Sequence, residues 1–169
     1  MFVGSVADKV VRAAKVPVLV IPGLGAPAEP VLTPMVVALD GSEEAEGALA
    51  MARRLAQPGG GQLVLVRSYG LPRLRGADFE YFPAEMPATL EKGETEYLYG
   101  VAEEGDEKVV VQSEPSEAIR NAADRYDAKL VVMSSSGKGL AGRLALGSTT
   151  DRILHSLHRP LLIVPADSA

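Results

Sequence analysis

The sequence predicts an α/β protein: a doubly wound parallel sheet with an extra antiparallel edge strand supplied by its N-terminal segment. Three observations carry this. Short apolar runs recur along the chain, namely MVVALD (35–40), QLVLV (62–66), KVVVQ (108–112), KLVVM (129–133) and PLLIV (160–164). Segments of helical periodicity separate most of them, and strands alternating with helices build a parallel sheet covered on both faces. The third observation is an internal repeat. GSVADKVVRAAKVPVLVIP (4–22) aligns without a gap with GSTTDRILHSLHRPLLIVP (147–165). Gly4, Ser5, Asp8, Pro17, Leu19 and Pro22 match Gly147, Ser148, Asp151, Pro160, Leu162 and Pro165, each 143 positions later. That offset is the length of an ordinary domain. The chain therefore reads as the last helix and strand of a preceding repeat (1–22), a linker (23–34) and a complete domain (35–169).

The opening also has features of a secretory signal, with Lys9, Arg12 and Lys15 ahead of an apolar run. Pro17 and Pro22 interrupt that run, Asp8 sits in the would-be basic region, and the same pattern recurs at the other end, so the repeat is the better reading. The linker holds Pro27, Pro30 and Pro34, each of which blocks a helix and removes a donor.

MVVALD suits a buried parallel strand, being apolar on both faces. SEEAEGALAMARRLA (42–56) follows as a helix: Ser42 caps it, Glu43, Glu44 and Glu46 lie in its first turns, and Arg53 and Arg54 near its end. Glycines 59–61 stop it before QLVLV. Residues 68–87 read as a loop, and a helix over 88–104 is weakened by Gly93 and Gly100. PSEAIRNAADRY (115–126) is a helix with proline in its first turn, and Ser148 to Leu157 is the last helix.

Composition narrows the function. The net charge of −5 comes with no basic cluster, so nucleic acids and anionic membranes are poor partners. No apolar run is long enough to span a bilayer. The absence of cysteine removes disulfides, thiolate metal sites and cysteine nucleophiles together, and fits a cytoplasmic protein.

The chemistry is expected in SSSGKGLAGRLALGSTTD (134–151). It lies where a doubly wound fold binds ligands, beyond the carboxyl end of a strand, and it leads into a helix N-terminus that favours an anion. Glycines allow the backbone close to phosphate oxygens. Two familiar motifs fail here. A Walker loop would need glycine at Val132 and Ser or Thr at Gly139. The literal GxGxxG of Gly137, Gly139 and Gly142 follows the wrong strand and has no acidic residue about 20 positions on.

The spacing Gly137-x9-Gly147-Ser148, the strand ending VVALDGSE and the segment PSEAIRNAADRYDAKLVVM resemble the universal stress protein family from Met35 to Pro165. The resemblance implies strand order 3-2-1-4-5, counted from Met35. It also implies, in the branch marked G-x2-G-x9-G-[S/T], ATP bound between the first and fourth strands. This chain departs from that pattern at Ser134, where the first glycine is expected, and at Ser113. Carried over residue by residue, the resemblance puts Asp40 beside the adenosine or a bound Mg or Mn ion. Ala38 and Ser68 would line the adenine slot, and Met133 and Ser134 would flank the ribose. Gly137, Lys138, Gly147, Ser148 and Thr149 would surround the phosphates.

Each residue also has a plainer role. Asp40 suits an Asp-Gly turn. Ser148 and Asp151 form a capping pattern that Ser5 and Asp8 repeat. Lys138 suits a solvated loop and Met133 a core position. His155 and His158 suit a helix end better than a metal, since Arg12 and Lys15 replace them in the first copy.

The resemblance thus implies a stress-response protein that binds ATP and acts by binding and dimerisation, with at most slow hydrolysis. The alternative is an interaction module of the same fold that binds no nucleotide. In the family the fifth strand is an edge through which dimers pair, so Val16–Ile21 is expected to pair antiparallel with Pro160–Val164, within one chain or exchanged between two. A first copy beginning at Met1 would lack the loop needed to hold a nucleotide of its own.

Overall fold

The computed structural model describes residues 4–23, 32–57, 60–70, 86–136 and 146–166. Along the chain they form α1 (Ser5–Ala13), β1 (Val18–Val20), β2 (Met35–Ala38), α2 (Glu43–Ala56), β3 (Leu63–Tyr69) and α3 (Met86–Val101). There follow β4 (Glu107–Gln112), α4 (Pro115–Arg125), β5 (Leu130–Ser134), α5 (Ser148–Ser156) and β6 (Leu161–Val164). The sheet order is β1-β6-β5-β2-β3-β4. All pairings from β6 to β4 are parallel, and β1 joins β6 antiparallel. Counted from Met35 this is the expected 3-2-1-4-5, with the N-terminal strand added at the outer edge.

Burial explains why β2, β5 and β6 read as unbroken apolar runs. Alternate residues of each strand enter different cores. Val36, Val131, Met133, Leu161 and Ile163 face α4 and α5, where they meet Ile119, Ala123, Ile153 and Leu154. Met35, Val37, Leu130, Val132, Leu162 and Val164 face α2 and α3, where they meet Ala45, Ala48, Leu49, Ala52 and Leu98. Ser42 caps α2 as expected, its Oγ accepting from the Ala45 N–H at 3.3 Å. In α4, Glu114 holds the cap, its carboxylate accepting from the N–H groups of Ser116 and Glu117.

Two boundaries differ from the sequence reading. β3 runs on through Tyr69, so Ser68 belongs to a strand and not to a loop. Helix α3 begins at Met86 and ends at Val101. Its glycines cost roughly 1 kcal/mol each against alanine, but both are exposed and tertiary contacts hold the helix in place. Arg67 on β3 is buried and ion-pairs with Glu94 of α3. Its guanidinium also lies 5.0 Å from the centre of the Tyr97 ring. Tyr69 Oη donates to Glu91 at 3.2 Å, and Tyr97 Oη donates to Glu46 of α2 at 3.3 Å. Burial first, and then the Glu46 carboxylate, push the Tyr97 phenol up to about 12.

The repeat becomes a local two-fold axis. Val18 pairs with Ile163, Leu19 with Leu162 and Val20 with Leu161. Leu19 and Leu162 are counterparts in the repeat and face each other, while Val18 and Val20 pair crosswise with each other's counterparts. The pairing is therefore reciprocal, as in the contact of two identical subunits. It is narrower than the expected 16–21, because Pro17, Pro22 and Pro160 bracket the ladder and lack the N–H it needs. Helix α1 lies on the same face as α4 and α5, with Val11 in their core.

Candidate functional site

Strands β2 and β5 lie side by side, yet the chain leaves β2 toward β3 on one side and reaches β5 only later. Such a switch point opens a crevice at the carboxyl ends of the strands. A cleft of about 600 Å³ occupies that place, within the range of roughly 300–1,000 Å³ usual for small-molecule sites. Ala38 and Asp40 line it from the end of β2, Ser68 from β3, and Met133 and Ser134 from β5. Gly147, Ser148 and Thr149 line it at the start of α5. Gly137 and Lys138 fall outside the described residues. Every other expected site residue borders this one cleft.

Asp40 serves a turn and the cleft together. Its Oδ1 accepts from the Ser42 N–H at 3.0 Å and from the Ser42 hydroxyl. Gly41 takes φ of 75°, which favours glycine. This places a carboxylate on the cleft wall beside the N-terminus of α2.

Ser134 stands where the family pattern has glycine, and its hydroxyl is engaged within its own segment. Its Oγ donates to the Ser136 carbonyl at 2.6 Å, and its side chain is almost wholly buried. The segment after β5 is anchored at several points. Ser135 N–H donates to Val164 O at 2.8 Å, and Gly147 N–H donates to Ser135 O at 2.8 Å. Thr150 was not among the expected residues. It is 3% exposed, and its Oγ1 donates to Ser134 O at 3.0 Å, tying the first turn of α5 to the end of β5. The threonine after GST is the sequence signal that marks it.

The capping reading of Ser148 is corrected. Gly147 is the N-cap, with φ −59° and ψ 146°, and no side chain caps the helix. The first intrahelical bond runs from Asp151 N–H to Gly147 O at 2.8 Å. Ser148 is therefore already helical and cannot bend back as a cap. The pattern S-x-x-D misled because the chain becomes helical one residue earlier than that pattern assumes. As a result the amides of Ser148, Thr149 and Thr150 have no partner among the described residues, and they sit at the positive end of α5 beside the cleft. The Gly147 amide, in contrast, is spent on Ser135. A Cβ at Gly147 would meet protein only at ordinary contact distances of 3.5–3.6 Å. The fold itself does not demand glycine there.

Two charged residues of the cleft lie beyond the expected set. Arg12 of α1 and Asp151 of α5 both border it, and they form an ion pair. Arg12 Nε also donates to the Asp8 carboxylate at 3.0–3.1 Å. The imidazole of His155 stands 3.9 Å from both Asp8 and Asp151. In the repeat Asp8 answers Asp151 and Arg12 answers His155, so this quartet straddles the same two-fold axis as the strand pair. The hydrogen bond from Arg12 holds the Asp8 carboxyl below its usual value, and Asp8 and Asp151 raise Arg12 in return.

Comparison with known proteins agrees with this architecture. The sequence profile described as "Universal stress protein family" matches residues 32–165. A universal stress protein of Thermus aquaticus is 33% identical over 134 residues, which cover 77% of this chain and 96% of that one. A Mycobacterium tuberculosis universal stress protein is 32% identical over 98% of this chain and 55% of its own length, so the chain spans about half of that relative. Among solved structures, a universal stress protein from Archaeoglobus fulgidus has a TM-score of 0.64 at 21% identity, over 98% of this chain and 57% of that one. A universal stress protein solved in complex with cAMP has a TM-score of 0.51 at 20% identity, covering 77% of this chain and 94% of that chain. From the profile match and the identity to the Thermus relative, this chain belongs to the universal stress protein family.

Proposed function

We propose that the cleft binds an adenine nucleotide, ATP in the first instance, and that the protein acts through its bound state and not through fast turnover. The observation that carries this reading is the meeting of Ala38, Asp40, Ser68, Met133, Ser134, Gly147, Ser148 and Thr149 around one cleft that ends on the N-terminal turn of α5. The apolar walls from Ala38, Val66, Met133 and Ile119 suit a base. The helix N-terminus suits a phosphate group. The cAMP complex of a structural neighbour shows a cyclic adenine nucleotide held by one protein of this fold.

A divalent cation fits this site in a limited way. Asp40 is a carboxylate on the cleft wall, and magnesium is commonly held by one or two carboxylates together with substrate phosphates. A bound Mg or Mn ion would screen phosphate charge there. Asp40 would orient it, and the Ser42 donors would fix the carboxylate. No nucleophile–base pair lines the cleft among the described residues, so hydrolysis in this reading is slow. The protein works in the cytoplasm, with no nucleic-acid or membrane partner, and no described helix is long and apolar enough to cross a membrane. The β6 edge is filled by β1 of the same chain. A homodimer therefore uses another surface.

Equilibrium titration with ATP and adenosine tests the reading. Saturation by ATP at micromolar to millimolar concentration is expected. Gly147→Ala should lower stability by no more than about 1 kcal/mol, the cost of a poorer N-cap, since the new methyl meets protein only at ordinary contact distances, and weaken ATP about tenfold or more. Saturation by no adenine nucleotide, at concentrations up to millimolar, would leave the rival reading of an interaction module with an empty cleft. Ser134, where the family pattern has glycine, is the residue that favours that rival.

A further inference from the structure

We infer that Arg12, a residue of the N-terminal repeat segment, sets the cleft's tolerance for polyphosphate by neutralising Asp151. This rests on the nucleotide reading above and assigns a role within it to a second repeat unit. Asp151 stands in the first turn of α5, next to the amides that would receive a phosphate, and its carboxylate borders the cleft. An uncompensated negative charge there opposes each added phosphate. Arg12 pairs with that carboxylate through Nη2 while Nε holds Asp8. Both Arg12 and Asp151 are 38% exposed, so the compensation acts at the mouth of the cleft and is open to screening by salt.

Asp8 and His155 complete the quartet, and His155 reaches both carboxylates at 3.9 Å. Two carboxylates, Asp8 and Asp151, share the one guanidinium of Arg12. Arg12 therefore acts by cancelling Asp151 and not by making the cleft positive. This distinguishes it from a direct phosphate ligand. It also explains why the cleft of the C-terminal domain borrows a residue from the other repeat unit. The counterpart of Arg12 within α5 itself is His155.

The test is an affinity series of adenosine, AMP and ATP on the full chain, for the parent, Arg12→Gln, Asp151→Asn and the double variant. Melting temperatures serve as the folding control. Arg12→Gln should weaken ATP about three- to tenfold, the size of one partly screened charge interaction. AMP should weaken less and adenosine least. Asp151→Asn should bind ATP at least as tightly as the parent, and the double variant should recover parent affinity. The ATP deficit of Arg12→Gln should shrink as salt rises. Unchanged ATP affinity in Arg12→Gln overturns the inference. So does a double variant as weak as the single one, which would make Arg12 a direct ligand. Equal loss for adenosine and ATP also overturns it, since that would report displacement of α1. A parent protein that binds no nucleotide removes the underlying reading, and this inference with it.

Discussion

The pair α1–β1 and the pair α5–β6 are repeats of one pattern, identical at six of nineteen aligned positions and alike in shape, yet they lead different lives. Both helices have nine residues. Each starts from a glycine N-cap, at φ −64° and ψ 153° in one and φ −59° and ψ 146° in the other. Their burial diverges. Val10 is 52% exposed where its counterpart Ile153 is 0%, and Leu19 is 45% exposed where Leu162 is 7%. Local sequence sets the shape, because both copies obey the same glycine and proline punctuation. What surrounds each copy sets the energy. The C-terminal pair sits between β5 and the two cores. The N-terminal pair touches the domain along one side only, and among the described residues Val6, Val10, Val16, Leu19 and Ile21 make up all the exposed large hydrophobics other than Tyr99.

The sharpest way to test that contrast is to truncate counterparts. Ile153→Ala should cost about 2–5 kcal/mol, as for other large-to-small changes in closed cores. Val10→Ala should cost well under about 1 kcal/mol, because half of its surface is already in water. Denaturant unfolding of both variants checks this, and similar losses would contradict the one-sided docking of α1. A middle-sized effect is expected at Glu114, which caps α4 and is bound by Arg152 of α5 at 2.7 Å. The counterpart of Arg152 is Lys9, which has no such partner among the described residues. Glu114→Ala should cost about 1 kcal/mol, the usual value of a cap, whereas Lys9→Ala should leave stability within error.

Glu114 also gives a pH signature. Burial pushes its carboxyl up, but hydrogen bonds from Ser116 and the Glu117 N–H, with Arg152, outweigh that and lower it below its usual 4.5. A carboxyl lowered by folding contributes stability above its unfolded pKa and loses it as pH falls through the folded one. The parent should therefore lose more stability than Glu114→Ala as pH drops below about 4.5, when melting temperatures are followed from pH 6 to pH 3. The smallest effect belongs to Asp8. Its pairing with Arg12 is on the surface, and Asp8→Asn should change the melting temperature little, and less still in high salt.

Much of this was legible in the sequence because it rests on short-range pattern. Apolar runs on both faces, the Ser42 cap and the repeat lead directly to the sheet and to the antiparallel pairing of β1. The cleft residues followed from the resemblance, since the strand ends and the GS pair keep their spacing. What escaped depends on contacts distant in sequence. The strand runs past its apolar stretch to Tyr69, and the partner that buries Arg67 there, Glu94, lies on a helix whose position the glycines obscured. Arg12 and Asp151 lie 139 residues apart, and no local pattern joins them, although the repeat had already set Asp8 against Asp151.

The closure of β6 by β1 has a consequence for how the protein responds to its own abundance. A strand pair shared between two molecules comes apart on dilution, while one made within a single molecule does not. Because this polypeptide carries both halves of the reciprocal contact, the flank of its sheet stays shielded whether the cell holds many copies or few.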